Sequence, residues 1–342
     1  LFRSVLSDVV EALRSRDTEG RWQVTVLAEE LDAAYDRVGL TAYTEHWDRS
    51  RLALPGNGYL GDDLVDVRLG CRVTALDRGG RTVTTDDGTR IAYDALVLAT
   101  GSYAFVPPVP GRDLPSCHVY RTFDDLDAIR ADAVRARETG RTPVGVVIGG
   151  GLLGLEAANA LRGFGLRAHV VERSARLMYQ QLDEAGGALL GRMIDELGIT
   201  VHTNVGTESI KPAQRNRPAR RSAEDDALRV TLSDGTNIDA ALVVFAAGVR
   251  PRDELARGAG LEIAERGGVL TDTSCATADP RIFAIGEVAA IGGRCYGLVG
   301  PGYTSAEVVA DRLLGGTAEF GEADMSTKLK LLGVDVASFG DA

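Results

Sequence analysis

Residues 144–172 read VGVVIGGGLLGLEAANALRGFGLRAHVVE. Val144 to Ile148 is a short apolar run of strand type that leads directly into Gly149-Gly150-Gly151-Leu152-Leu153-Gly154, with a helical pattern behind it. A G-x-G-x-x-G run between a strand and a helix suits a dinucleotide pyrophosphate. Gly149 permits the tight turn, Gly151 lets the phosphates approach bare backbone, and Gly154 lets helix and strand pack closely, while the helix start supplies amide hydrogens and a positive dipole end. The next strand, Arg167 to Val171, ends at Glu172, 23 residues beyond Gly149. That is close to the roughly 20 expected of a carboxylate that accepts from a ribose 2′-hydroxyl, and it favours NAD. Arg173 and Arg176 follow at once and suit a 2′-phosphate, so NADP stays open. Glu156, two residues past Gly154, is either a partner of the helix dipole or a cofactor contact.

Outward from this unit, strand-type runs at Gln23–Ala28, Ala95–Ala99 and Ala241–Ala246 alternate with helical patterns at Phe123–Glu138, Leu152–Phe164, Asp183–Leu197 and Tyr303–Leu314. Alternation of this kind is α/β layering. Asp124 and Asp125 suit a first helical turn, where carboxylates oppose the dipole. Residues 83–101, VTTDDGTRIAYDALVLATG, resemble residues 230–248, VTLSDGTNIDAALVVFAAG. The Asp-Gly pairs at 87–88 and 234–235 and the closing glycines at 101 and 248 share one offset of 147 residues, which argues for duplication. Each copy reads as a hairpin turned at Asp-Gly, followed by a buried strand that ends in glycine.

The chain has 342 residues, which points to two or three domains, and a formal charge of −11, which would repel a phosphate backbone. Nucleic acid is therefore not an expected partner. No apolar run approaches the roughly 18 residues of a membrane helix, so no membrane partner is expected. Leu1 opens the chain without a leader pattern, which reads as a fragment and a cytoplasmic protein. Cys71, Cys117, Cys275 and Cys295 are isolated, and His46, His118, His169 and His202 lack ligand spacing, so reduced thiols and no metal are expected. Lys211 to Asp226, basic and then acidic, reads as a solvated surface insertion.

Further segments agree in order with a known family: Tyr35-Asp36-Arg37, Ala99-Thr100-Gly101, Tyr120-Arg121-Thr122, the fingerprint, Ala247-Gly248-Val249-Arg250-Pro251 and Thr277 to Glu287. The chain resembles the two-dinucleotide flavoprotein reductases of the pyridine nucleotide-disulfide oxidoreductase family, which include ferredoxin, rubredoxin and disulfide reductases. Within it, GGGLLGLEAANALRGFGL, RLMYQQLDEAGGALL and STKLKLLGVDVASFGD look like the N-terminal part of the assimilatory NAD(P)H nitrite reductase large subunit. The likeness spans nearly all of 11–342 apart from 211–226 and a divergent stretch near 41–66.

What the resemblance implies is an α/β fold of two Rossmann-like, three-layer ββα dinucleotide-binding domains. An FAD domain (1–112 and 240–318) would be interrupted by an NAD(P) domain (113–239), with a truncated C-terminal α+β domain starting in 319–342. By resemblance Arg37 and Arg121 meet the FAD phosphates or flavin, Glu29 or Glu30 the adenosine ribose, Thr100 and Gly101 the FAD backbone path, and Glu287, after Gly286, the ribityl chain. Gly248 belongs to the same cofactor set. Hydride would pass from NAD(P)H to FAD and electrons onward to a siroheme/iron-sulfur module or a small redox protein; a homodimer is also admitted. No catalytic side chain is required, because the cofactors carry the bond chemistry.

The chain departs from this pattern at three places. Residues 1–19 contain no glycine, although the family opens with a second G-x-G-x-x-G for FAD, and the 147-residue offset places its three positions at Phe2, Ser4 and Ser7. No cysteine cluster for siroheme and iron-sulfur is present, so nitrite reduction is not expected of this stretch alone. A lysine beside the flavin in ferredoxin reductases maps near Ala42. Two other readings stand beside the reductase module: a silent NAD-binding remnant without FAD, and a stand-alone ferredoxin or rubredoxin reductase.

Overall fold

The computed structural model describes residues 5–54, 57–138, 143–213, 227–323, 325, 327–331 and 334–338. In chain order the elements are α1 (Val5–Arg16), β1 (Val24–Leu27), α2 (Leu40–His46), β2 (Val65–Arg68), β3 (Val73–Asp77), β4 (Thr82–Thr85), β5 (Arg90–Ala92), β6 (Leu96–Leu98) and β7 (Ser102–Ala104). There follow β8 (Cys117–Val119), α3 (Phe123–Arg137), β9 (Val144–Ile148), α4 (Leu152–Gly163), β10 (Arg167–Val171), α5 (Glu184–Glu196), β11 (Thr200–His202), β12 (Thr207–Pro212), β13 (Leu228–Leu232) and β14 (Asn237–Ala240). The rest are β15 (Leu242–Phe245), β16 (Val249–Pro251), α6 (Glu254–Gly258), β17 (Val269–Thr271), β18 (Ile282–Ala284), β19 (Ala289–Ile291), α7 (Val299–Leu313), β20 (Thr327–Leu331) and β21 (Val334–Ser338).

Contacts divide the chain into two units. Unit 1 holds residues 1–39, 48–103 and 250–325, and unit 2 holds 40–47, 104–249 and 326–342. The main span of unit 2, 104–249, thus interrupts that of unit 1 in sequence.

Unit 2 is built on a five-stranded sheet in the order β11-β10-β9-β15-β8, parallel throughout, with Val147 facing both Val170 and Val244 in register. Its central strands are buried along nearly their whole length, as a parallel sheet covered on both faces requires. α3 starts with the acids anticipated from sequence. Thr122 accepts from the Asp125 amide at 3.2 Å and Asp125 accepts from the Thr122 amide at 2.8 Å, a reciprocal cap that satisfies two helix-start donors. α2 belongs to this unit although the sequence places it among unit 1 residues. Tyr43 packs edge-on to Phe123 with ring centroids 4.7 Å apart and donates to Asp127 at 2.8 Å, contacts no local pattern announces.

The two repeat copies fold alike. β3-β4-β5 and β12-β13-β14 are antiparallel three-stranded sheets with a bulge in the first strand of each, between Val73 and Ala75 and between Thr207 and Ser209. Gly88 and Gly235 turn the hairpins at φ of +84° and +85°, a region glycine enters without a Cβ clash. Each hairpin then feeds a parallel strand, β6 or β15.

Unit 1 carries parallel pairs β1–β2 and β6–β18, with Val26 facing Val67 and Val97 facing Phe283. α1 packs along α7, and their buried residues include Val9, Val10, Ala306 and Val309. In unit 2, β9 joins β10 to β15. In unit 1 the equivalent strands β1 and β6 lie in separate pairs among the described residues, and a counterpart of β9 at the repeat offset falls outside them. The C-terminal stretch expected to open a third domain forms an antiparallel hairpin, β20–β21, with Leu329 facing Val336, and is grouped with unit 2. Most of the Lys211–Asp226 insertion lies outside the described residues, while Lys211 and Pro212 end β12.

Candidate functional site

The glycine turn between β9 and α4 has the geometry its sequence asks for. Gly149 has φ of +119° and donates to the Val171 carbonyl at 2.9 Å, and a Cβ there would run into the Ala246 carbonyl. A Cβ on Gly154 would collide with the Gly149 carbonyl, so only glycine lets the first turn of α4 lie against the strand end. Gly151, the N-cap of α4, has open space where its Cβ would be, and no side chain caps the helix. Uncapped amides at a helix start beside bare backbone suit an anion. Strand order changes direction between β9 and β15, so this turn sits at a topological switch point, where open α/β sheets bind ligands.

Glu172 is buried at the end of β10, 8% exposed, and its role is wider than the sequence suggests. One carboxylate oxygen accepts from the Gly150 amide at 2.6 Å and the other from the Ser174 amide at 2.6 Å. The carboxylate therefore clips the glycine turn in place, and each oxygen keeps a second lone pair for a ribose hydroxyl. Gly150 is required as well, since a Cβ would press on Leu177 at 2.6 Å and on the Glu172 side chain at 2.9 Å. Arg176 is committed elsewhere: its Nε donates to the Leu182 carbonyl at 2.8 Å. Arg173 is exposed.

Across the sheet, Gly248 follows β15 with φ of +103°, and its carbonyl accepts from the Phe105 amide at 2.8 Å. Arg121 follows β8 in unit 2, where its amide donates to Asp125 at 3.0 Å. Glu156 in α4 is partly buried, and burial pushes its carboxyl up to about 7, with Thr41 of α2 acting against the rise. Thr41 Oγ1 lies 3.3 Å from the Tyr120 hydroxyl, and burial likewise pushes that phenol well above its usual range.

Unit 1 gathers a second set. Glu30, just past the end of β1, accepts from Arg37 at 2.6 Å and from the Tyr35 hydroxyl at 3.0 Å, and the Arg37 guanidinium lies 4.9 Å from the Tyr35 ring centroid. Arg37 is raised above its ordinary range: burial works against this, while Tyr35, Glu30 and Glu287 favour the charged form. Glu29 is bonded to Arg252 at 2.6 Å, and Thr100 donates to the Arg252 carbonyl at 2.8 Å. Ser102 donates to Glu287 at 2.9 Å, with Gly101 and Gly286 at φ of +66° and +69° beside them. Of the positions left by the absent N-terminal fingerprint, Phe2 and Ser4 lie outside the described residues. Ser7 is fully buried with its hydroxyl 3.1 Å from that of Tyr59. Val5 fills the space beside Gly286 and Gly302.

Sequence reasoning missed Ser102, Tyr35 and Thr41 as members of these clusters. Ser102 adjoins the quoted Ala99-Thr100-Gly101 and Tyr35 opens the quoted Tyr35-Asp36-Arg37, whereas nothing local marks Thr41. Among the described residues no three His, Cys, Asp or Glu side chains converge as a metal site. His118 is bonded to Asp132 at 2.8 Å, and His169 Nδ1 lies 3.1 Å from His202 Nε2. No helix among the described residues is long and apolar enough to cross a membrane.

Comparison with known proteins gives one answer. The profile of the pyridine nucleotide-disulphide oxidoreductase family matches residues 10–309. The chain is 48% identical over 333 residues to the nitrite reductase [NAD(P)H] large subunit of Klebsiella oxytoca, covering 97% of this chain and 33% of that protein. It is 41% identical to the nitrite reductase (NADH) large subunit of Escherichia coli K12, covering 97% of this chain and 38% of that protein. Among solved structures, the NAD-dependent persulfide reductase of A. fulgidus matches with a TM-score of 0.86 and 25% identity, covering 98% of this chain and 62% of that one. The chain thus spans about a third of the length of the nitrite reductases it matches.

Proposed function

The chain belongs to the pyridine nucleotide-disulphide oxidoreductase family, and from that premise we propose that it is an FAD-dependent NAD(P)H oxidoreductase module. Its acceptor would be a siroheme/iron-sulfur module or a small redox protein. The observation that carries this reading is the unit 2 turn, where Gly149, Gly151 and Gly154 leave uncapped helix amides open and a buried carboxylate stands at the ribose position. Unit 2 is assigned to the nicotinamide dinucleotide and unit 1 to FAD. FAD, when bound, supplies a hydride acceptor that can release electrons singly.

This chain's own residues bind and orient. The α4 amides hold the pyrophosphate, and Glu172 takes the adenosine ribose. A clipped, buried carboxylate there repels a 2′-phosphate, so NADH is favoured over NADPH. In unit 1, Glu30 suits the other adenosine ribose, Arg37 the phosphates, and Glu287 with Ser102 the ribityl hydroxyls, while Gly101 and Gly286 present bare backbone. These residues fit FAD. The four free thiols support a cytoplasmic setting.

The silent-remnant reading draws on the buried Ser7, which stands where the repeat offset calls for the third glycine, and on Val5 filling space at Gly286 and Gly302. Anaerobic titration separates the two. A yellow protein, as purified or after adding FAD, whose 450 nm band bleaches with NADH supports the module. A protein that stays colourless with FAD, yet gains thermal stability with NADH, supports the remnant.

A further inference from the structure

In unit 1 two side chains of opposite charge meet where the internal repeat puts the path of a dinucleotide. Unit 2 sets the pattern. Its ribose carboxylate, Glu172, follows β10, the phosphate turn follows β9, and β15 lies on the far side of β9. In the repeat β1 answers to β10 and β6 to β15, so a dinucleotide bound to unit 1 runs from the end of β1 towards the end of β6. Glu29 stands just past the first of these ends, and Thr100 and Gly101 just past the second. Arg252, directly after β16, joins them. Its guanidinium donates to Glu29 at 2.6 Å, its amide donates to the Gly101 carbonyl at 2.9 Å, and its carbonyl accepts from the Thr100 hydroxyl at 2.8 Å. The ion pair therefore lies across the path.

Resting on the assignment of FAD to unit 1, we infer that Arg252 is a phosphate-binding residue for that cofactor, held by Glu29 in the free chain and handed to the pyrophosphate when the cofactor enters. The exchange costs little on the protein side. The Arg252 and Glu29 side chains are 43% and 47% exposed, and an ion pair so open to water contributes little. Glu29 also has Arg72 at 3.8 Å, so it keeps a cation beside it when Arg252 leaves. The Arg252 backbone is bonded through both its amide and its carbonyl, so only the side chain has to move. On the ligand side the return is larger, because a guanidinium can bond two phosphate oxygens at once and the pyrophosphate carries a full negative charge on each phosphate. Arg37 and Glu30 form a second pair of the same kind at 2.6 Å. The two pairs keep these arginines neutralised until an anion competes for them.

The test is titration of the full chain with FAD, read by flavin fluorescence, for the wild type, Arg252→Gln and Arg252→Lys. Arg252→Gln should weaken FAD about tenfold, the scale of one hydrogen bond to a charged group, and Arg252→Lys should recover most of that loss. NADH affinity, read by calorimetry on the same proteins, should stay at the wild-type value, which reports that the variants fold. At saturating FAD the phosphorus NMR resonances of the bound pyrophosphate should move in Arg252→Lys, a change that a residue bracing the loop alone would not produce. Should the glutamine variant lose NADH as well, the lysine variant and its phosphorus spectrum decide. Wild-type FAD affinity in a folded Arg252→Gln, or unmoved resonances in Arg252→Lys, overturns the inference alone. A wild type that takes up no FAD overturns the unit 1 assignment and the inference with it.

Discussion

Glu172 shows how much one side chain carries. Its oxygens hold the Gly150 and Ser174 amides at 2.6 Å each, so the carboxylate that would recognise a ribose also stiffens the phosphate turn. Hydrogen bonds to a charged group are worth about 1.5 to 3 kcal/mol each, and a buried donor left facing another donor loses more than the bond. Glu172→Gln keeps the shape but can accept with one oxygen only, so one amide is left against an NH2 group. Isothermal titration is expected to show NADH binding weakened about tenfold or more and NADPH binding weakened less, since the charge that opposes a 2′-phosphate is gone. Equal losses for both coenzymes would mean that Glu172 acts on the turn alone.

At the scale of elements, the pairing of β10 with β11 brings two histidines together. His169 Nδ1 and His202 Nε2 are 3.1 Å apart with rings near parallel at 14°, so one must donate and the other accept, and the contact cannot carry a proton on both facing nitrogens. Burial lowers both below the ordinary histidine value of 6.5. His202 and Arg167 lower His169 further, while Asp234 partly offsets the effect on His202. The unfolded chain takes up protons as pH falls through 6.5, whereas the folded pair resists them. The stability the pair contributes is therefore intact above 6.5 and is lost as pH drops through that value towards the lowered folded one. Melting at pH 7.5 and 5.5 is expected to show a fall of about 2 to 4 °C that His169→Asn reduces. Glu156 works in the opposite direction: its raised carboxyl contributes stability below 4.5 that is lost as pH rises through about 7. The comparison with the histidine variant isolates the pair from that background.

At the scale of the molecule, each unit has its own core, one around Ile282, Ala284 and Val309 and the other around Val146, Val230 and Val243. A ligand stabilises only what it binds, by about 2.7 kcal/mol at a hundred times its dissociation constant. Calorimetry is expected to resolve two transitions, of which NADH raises one, with fragments from limited proteolysis assigning it to 104–249. A uniform shift of both would place coenzyme contacts in each unit. Much of this arrangement was legible in the chain. β9 and β10 fall on the residues the apolar runs marked, and the two Asp-Gly turns join strands of three-stranded sheets that share a bulged first strand. These features rest on period, turn chemistry and backbone freedom, which are properties of neighbouring residues. Only tertiary structure moved Leu40–Trp47 into unit 2, set Arg176 on a carbonyl, and brought Thr41 to a tyrosine 79 residues away. Packing and the satisfaction of buried polar groups choose partners across space, and no local pattern encodes that choice.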